Sequence, residues 1–282
     1  MKLLKVQLTS NHNIFIFGDK HEGSILSSGA GWNKLCHAMN SEYDGCSNNY
    51  GIEGGDDIEA IMADDSRFSA DKLTQPLPQE QMEKAVKIRQ PIKHMMIVKL
   101  QGNHERKLWR FGDIMEKMCE DLGVNYGTYS CKVSVVDSKG QMMFKIFDTH
   151  GFKGITSTAD DPIRREANKR LILKRHLKRK FNDCAVMIKH HTHKLFVSSP
   201  EPELYLYDDG KKIKQGYTNT PYDIENIPEA LRWYGNAGSF LTLFGKDMSG
   251  YAEVFELDPV ELGWLVLKVR NRKIVSLEPV FI

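Results

Sequence analysis

Four short apolar runs in this chain each end in a cluster of chemically active polar residues, and that recurrence constrains the fold more than any other feature. Asn13–Phe17 leads into Gly18-Asp19-Lys20-His21, and His94–Leu100 into Gln101-Gly102-Asn103-His104-Glu105. Met142–Phe147 leads into Asp148-Thr149-His150-Gly151, and Cys184–Ile188 into His190-His191-Thr192-His193. The runs have strand length and the clusters read as turns. Helical stretches lie between them. Gln79–Arg89 is rich in Glu, Lys and Gln and stops before Pro91. Glu105–Leu122 carries apolar residues at Leu108, Phe111, Met115 and Met118, with Gly123 at the C-cap position. Asp161-Pro162 reads as an N-cap and N1 proline opening a helix to about Lys180. Strands alternating with helices predict an α/β fold with two layers of strands inside.

Residues 195–235 form a polar, hairpin-like insertion with Asp208-Asp209-Gly210 as its turn. After Gly235, the runs Ser239–Phe244, Tyr251–Leu257, Trp264–Val269 and Lys273–Leu277 read as antiparallel closing strands. No linker demands a second unit, so the expectation is one domain over residues 1–282. A chain of 282 residues with 41% hydrophobic residues can bury a substantial core without staples. The apolar runs are too short to span a bilayer and no signal peptide is visible, so no membrane partner is expected. The five cysteines are odd in number and scattered, which fits reduced thiols in the cytoplasm.

Aspartate, asparagine and histidine past strand ends stand where α/β proteins place their sites. Carboxylate, amide oxygen and imidazole together suit divalent ions such as Mn, Fe, Zn or Co, and the lack of cysteine argues against a structural zinc knot. The motifs stand in the order Gly18-Asp19-Lys20-His21, Gly54-Gly55-Asp56, Gly102-Asn103-His104-Glu105, His150-Gly151 and His191-Thr192-His193, with Asn236-Ala237-Gly238-Ser239 after them. In that order they resemble the calcineurin-like metallophosphoesterase superfamily, over roughly residues 13–240.

The resemblance implies a four-layer α/β/β/α sandwich with a two-metal site at the strand C-terminal ends. It assigns one metal to Asp19, His21 and His193, the other to Asn103, His150 and His191, and makes Asp56 the bridge. The expected cofactors are two divalent ions, manganese first, with Fe, Zn, Ni or Co as alternatives. Two ions about 3.5–4 Å apart need a shared anion, and a water between them loses a proton easily and becomes the nucleophile. His104 is implied to contact the phosphoryl oxygen or protonate the leaving group. Glu59 stands where many relatives have the carboxylate that orients this histidine. His190 replaces the family's usual glycine and is expected at the rim, flanking the substrate. Asp148 either orients His150 or caps a strand end.

The expected reaction is hydrolysis of a phosphoester. The arginines of the protein-phosphatase subgroup are missing from Asp56–Ile61 and Leu100–Glu105. Residues 162–181 hold Arg164, Arg165, Lys169, Arg170, Lys174, Arg175, Lys178, Arg179 and Lys180 against Glu166 alone, although the whole chain carries only +2. A segregated basic segment beside such a site is the footprint of a nucleic-acid substrate, DNA or RNA, and Arg164, Arg165, Lys174, Arg175, Lys178 and Arg179 are its candidate contacts. The solvated helix face is the plain alternative. The pattern also resembles phosphoesterases of phages and prophages, including the DNA-repair exonuclease-like group. A phosphomonoesterase or small-molecule phosphodiesterase is the second reading and would need a closed pocket, expected from residues 199–235. A non-catalytic binding protein with this fold is the third, although every expected ligand position is filled.

Overall fold

A computed structural model describes residues 1–65, 68–219, 222, 224–247 and 251–282. The chain opens with β1 (Lys2–Gln7), β2 (His12–Phe17), α1 (Gly29–Asn40), β3 (Asn49–Glu53), α2 (Pro78–Arg89) and β4 (Met96–Lys99). It continues through α3 (Asn103–Arg106), α4 (Ile114–Leu122), β5 (Ser130–Val136), β6 (Met142–Thr149), α5 (Pro162–Leu177) and β7 (Val186–Lys189). The last third holds β8 (Leu195–Ser198), β9 (Leu204–Asp208), β10 (Ile213–Tyr217), β11 (Trp233–Ala237), α6 (Tyr251–Val254), β12 (Gly263–Arg270) and β13 (Lys273–Phe281).

Two sheets face each other, in the orders β1-β5-β6-β7-β11-β8 and β13-β12-β2-β3-β4. In β2, Ile14 and Ile16 point into the space between the sheets and meet Val133, Ile146, Val186 and Ile188 from the other side. Phe15 and Phe17 point the opposite way, onto Trp32, Leu35 and Met39 of α1. Period-two alternation with both faces apolar is what a strand buried on both sides requires. On the outer face of the six-stranded sheet, Phe147 and Met187 meet Leu173 and Leu177 of α5. The expected four layers, helix–sheet–sheet–helix, are present.

Several local expectations need correction. Glu105–Leu122 is not one helix: it breaks into α3, a 3-10 turn over Lys107–Phe111, and α4. Gly112 turns there at φ 112, and the Asp113 side chain caps α4 by accepting from Glu116 N–H. The basic helix stops at Leu177, with Lys178 as C-cap, and the Lys178 carbonyl accepts from the Arg232 guanidinium. Ser239–Phe244 is no strand, because its backbone straps a site loop: Phe240 N–H donates to Asp19 O (3.1 Å) and Ser28 N–H donates to Phe240 O (2.7 Å). Within Tyr251–Leu257 the structure has the short helix α6. The strands β12 and β13 close the five-stranded sheet in antiparallel register, as expected. The insertion's strands pair around Asp208–Gly210 as β9 and β10, whereas β8, at its start, belongs to the six-stranded sheet.

Candidate metal centre

The strands β2, β3 and β4 run parallel, as do β6 and β7, so the loops that follow each set leave one edge together. The loops after β2 and β3 continue the ladder beyond the sheet. Asp19 N–H donates to Gly55 O (2.8 Å), His21 N–H to Asp56 O (2.9 Å) and Glu22 N–H to Asp57 O (2.8 Å). Asp19, His21 and Asp56 sit at φ 52, 51 and 52, and His191 and His193 at φ 74 and 53. The left-handed region costs an L-residue about 1–2 kcal/mol, so tertiary contacts must hold these turns. Part of that hold comes from the 236–239 segment: Ser239 Oγ donates to Asp19 O (3.0 Å), and Asn236 Oδ1 accepts from Thr192 Oγ1 (3.0 Å).

The seven expected ligands converge as two groups. Ligand atoms of Asp19, His21 and His193 lie within 4.8 Å of one another, and so do those of Asp56, His150 and His191. Asn103 Oδ1 joins the second group, 3.0 Å from His150 Nε2. Asp56 Oδ2 lies 3.3 Å from His150 Nε2 and 3.9 Å from His21 Nε2, so one carboxylate faces both groups. Its other oxygen accepts from His104 N–H at 2.9 Å. Gly102 leaves the room for this approach, since a Cβ there would lie 2.0 Å from Asp56 Oδ1.

The donor chemistry fits a cation. His150 gives its Nδ1–H to Gly54 O (2.8 Å) and His21 gives its own to Glu59 Oε2 (2.9 Å), so both rings present Nε2 to the site. His21 Nε2 and His193 Nε2 are 3.3 Å apart. Asp19 Oδ1 is buried with no hydrogen-bond partner among the described residues. Lone pairs crowded in this way need positive charge between them. Burial alone would lower the His150 pKa, yet the Asp56 and Asp19 carboxylates hold it up at about 9. Burial likewise opposes the charged form of Asp56, and the surrounding imidazoles, His150 first, keep its carboxyl well below the usual range.

Three supporting residues stand elsewhere than expected. The Glu59 side chain orients His21, not His104; His104 Nδ1 is instead held by the Glu59 backbone carbonyl. His190 is not at the rim. It is fully buried, its Nε2 bonds Asp148 Oδ1 (3.0 Å), and its ring fills the space under Gly54, where a Cβ would meet it at 2.2 Å. Asp148 therefore orients His190 and not His150, and His190 packs beneath the metal loops, away from any substrate.

Glu105 has a role that its place in the motif did not reveal. Its buried carboxylate accepts from the backbone N–H of Asp56, Asp57, Ile58 and Gly102 (3.2, 2.6, 3.1 and 2.9 Å), which pins the Asp56 turn to the Asn103 loop. Behind it lies a buried ion network: Arg89 and Lys99 both pair with Glu53 and with Asp57. Buried charges of opposite sign at such distances in sequence leave no periodic signal, so this network was not legible beforehand.

A cavity of about 390 Å³ opens over the ligands, lined by His21, Asp56, Asn103, His104, His191 and His193 on one side. Its other walls include Leu26, Ile61, Leu73, Leu241, Phe244 and Leu257; among the described residues none comes from 199–235, where a closing wall was expected. The expected nucleic-acid contacts lie outside it. Arg164, Arg165, Arg175 and Arg179 are exposed on or just past α5, whereas Lys174 pairs with Glu201 and Lys178 with Glu229, each at 2.9 Å.

No protein-family model matches the chain, and no curated protein matches it. Among solved structures, Vps29 from Entamoeba histolytica, complexed with zinc, is 12% identical over 96% of this chain and 98% of its own, with a TM-score of 0.40. A conserved uncharacterised protein from Streptococcus pneumoniae, described as a predicted phosphoesterase, is 10% identical over 98% of this chain and 100% of its own, with a TM-score of 0.31. Likenesses of this strength carry no argument about the chain's chemistry, which rests on the site itself.

Proposed function

We propose that this chain is a phosphoester hydrolase that works with two divalent metal ions. The observation that carries the reading is the Asp56 carboxylate, which faces both the Asp19–His21–His193 group and the Asn103–His150–His191 group. Ions held there would polarise phosphoryl oxygens and supply a readily deprotonated water. Manganese is the first candidate for such a donor set, with Fe, Zn, Ni and Co next.

The protein's own groups do the remaining work. His104 lines the cavity, and its Nδ1 is tied to the Glu59 carbonyl, which leaves Nε2 to face a substrate. Burial would lower its pKa, and the carboxylates of Asp56 and Glu59 raise it, a direction that suits a donor to a leaving-group oxygen. Glu59 fixes the tautomer of His21, and Glu105 fixes the turn that aims Asp56.

Two substrate readings have observations behind them. Exposed arginines on α5 favour nucleic acid, and with it a phosphodiesterase or nuclease of the phage and DNA-repair type. The walled cavity favours a compact phosphoester. Five free cysteines fit a reducing compartment, and the cytoplasm is the proposed location. Among the described residues, no helix is long and apolar enough to cross a membrane.

The test is a panel with and without each metal: bis-p-nitrophenyl phosphate, p-nitrophenyl phosphate, and single- and double-stranded DNA and RNA. Metal-dependent hydrolysis that a chelator and Asp56→Asn both abolish is the expected result. Silence on all substrates with all five metals would overturn the reading.

A further inference from the structure

The cavity beside the candidate metals has two unlike faces. One carries the imidazoles and Asp56; the other is mainly apolar, with Leu26, Leu73, Leu241, Phe244 and Leu257, and has Lys72 and Glu253 among its charged residues. Backbone bonds build the apolar face onto the metal loops. Ile25 N–H donates to Lys72 O (3.0 Å) and Thr242 N–H to Leu26 O (3.1 Å), and bridges join Ser24 to Leu73 and Ser27 to Leu241. The segments on either side of the cavity thus hang from the loop that carries Asp19 and His21. At the wall, Phe244 and Leu257 are 44% and 38% exposed, apolar surface that gains by being covered. Lys72 is the one lysine or arginine among the described lining residues. Duplex DNA carries about one charge per 1.7 Å of axis, and a mainly apolar wall with a single lysine matches such a chain poorly.

We propose that this apolar wall is a subsite for the organic group of a compact phosphoester, a hydrophobic or aromatic group about the size of one or two rings. The volume sets the size: about 150 Å³ of apolar cavity holds a benzene, and the space here is about 390 Å³ before the phosphoryl group enters. The proposal rests on the phosphoester reading and names its substrate class. Phosphate at the metals fixes one end, and Phe244 and Leu257 discriminate at the other.

The test separates binding from turnover. The manganese-loaded chain is titrated calorimetrically with phenylphosphonate and with methylphosphonate, which present the same anion with and without a ring. Phenylphosphonate should bind about ten- to a hundredfold more tightly. In Phe244→Ser and in Leu257→Ser, each at a partly exposed side chain, that preference should fall several-fold while methylphosphonate affinity holds. In parallel, p-nitrophenyl phenyl phosphate should show a lower KM than p-nitrophenyl methyl phosphate, which shares its leaving group. Equal affinity for the two phosphonates would overturn the subsite, as would loss of both in equal proportion in the variants. Discrimination between the phosphonates without turnover of either diester, or of any ester in the panel above, would uphold the subsite and overturn only the hydrolase reading.

Discussion

Asp19, His21, Asp56, His191 and His193 all hold left-handed backbone that their side chains disfavour, and all five are candidate ligands. Strain at ligands is a cost to the fold that an ion would offset. His193, at φ 53 with its side chain 15% exposed, is a place to read it. His193→Gly should stabilise the metal-free chain by about 1 kcal/mol and weaken metal binding, as seen by paired denaturant titrations with and without manganese. A variant that loses stability in both states would show the turn is not strained. The two residues of the His104–Glu59 pair should also part company. Glu59→Gln should weaken metal affinity about 10–100-fold, because its carboxylate fixes His21. His104→Ala should keep both metals and lower turnover about 10²–10⁴-fold, with less loss on a p-nitrophenolate leaving group. Metal affinity and kcat measured on both variants decide the assignment; a loss of metal in His104→Ala would contradict it.

Between strands and loops, the element that holds the site is the short helix α3, which delivers Asn103, His104 and Glu105 in successive positions. Glu105→Ala would leave four buried backbone N–H groups without their acceptor, and each such orphan costs about 1–3 kcal/mol. Chemical denaturation should therefore show a loss of more than about 3 kcal/mol, with metal binding lost along with it; a loss below about 1 kcal/mol would mean that water replaces the carboxylate. At the start of β2, fully buried His12 offers a pH test away from the metals. Burial, aided by Arg270 and opposed by the Thr9 carbonyl, lowers its pKa to about 4 from the ordinary 6.5. Between those values the unfolded chain binds a proton that the folded chain refuses. Its contribution is complete above pH 6.5 and is lost as pH falls toward 4, by about 3 kcal/mol in all. Urea titrations from pH 7 to 4 should show this fall, and His12→Gln should flatten it. An unchanged slope in the variant would place the titration elsewhere.

For the whole molecule, the question is how the charge on α5 relates to a site that it does not line. The helix buries only Leu173 and Leu177 and turns its arginines outward. If those arginines guide nucleic acid, log affinity should fall linearly with log salt, at about −0.9 per duplex phosphate contacted. Arg164, Arg175 and Arg179 changed together to Gln should then weaken DNA binding and make the slope shallower, with hydrolysis of a nitrophenyl ester unchanged. A salt titration on the Asp56→Asn background avoids substrate loss; an unchanged slope would make α5 an ordinary solvated face and leave the compact ester as the substrate.

The seven residues that converge at the candidate metal centre were legible in the sequence through a resemblance, because their five short motifs stand in the order that the metallophosphoesterases share. The strands β2, β4, β6 and β7 were legible for another reason, since runs buried on both faces read as continuously apolar. By contrast, β1, β3, β5 and α1 gave no comparable signal, and 239–244 looked like a strand while its hydrogen bonds went to a loop. Only the tertiary structure decided which acid orients which histidine: Glu59 found His21, and Asp148 found His190. It also took the cavity's wall, among the described residues, from Leu241, Phe244 and Leu257 rather than from 199–235. Those choices depend on distances between segments far apart in the chain, where a side chain's partner is whatever packing brings within about 3 Å, and no local pattern of residues records that.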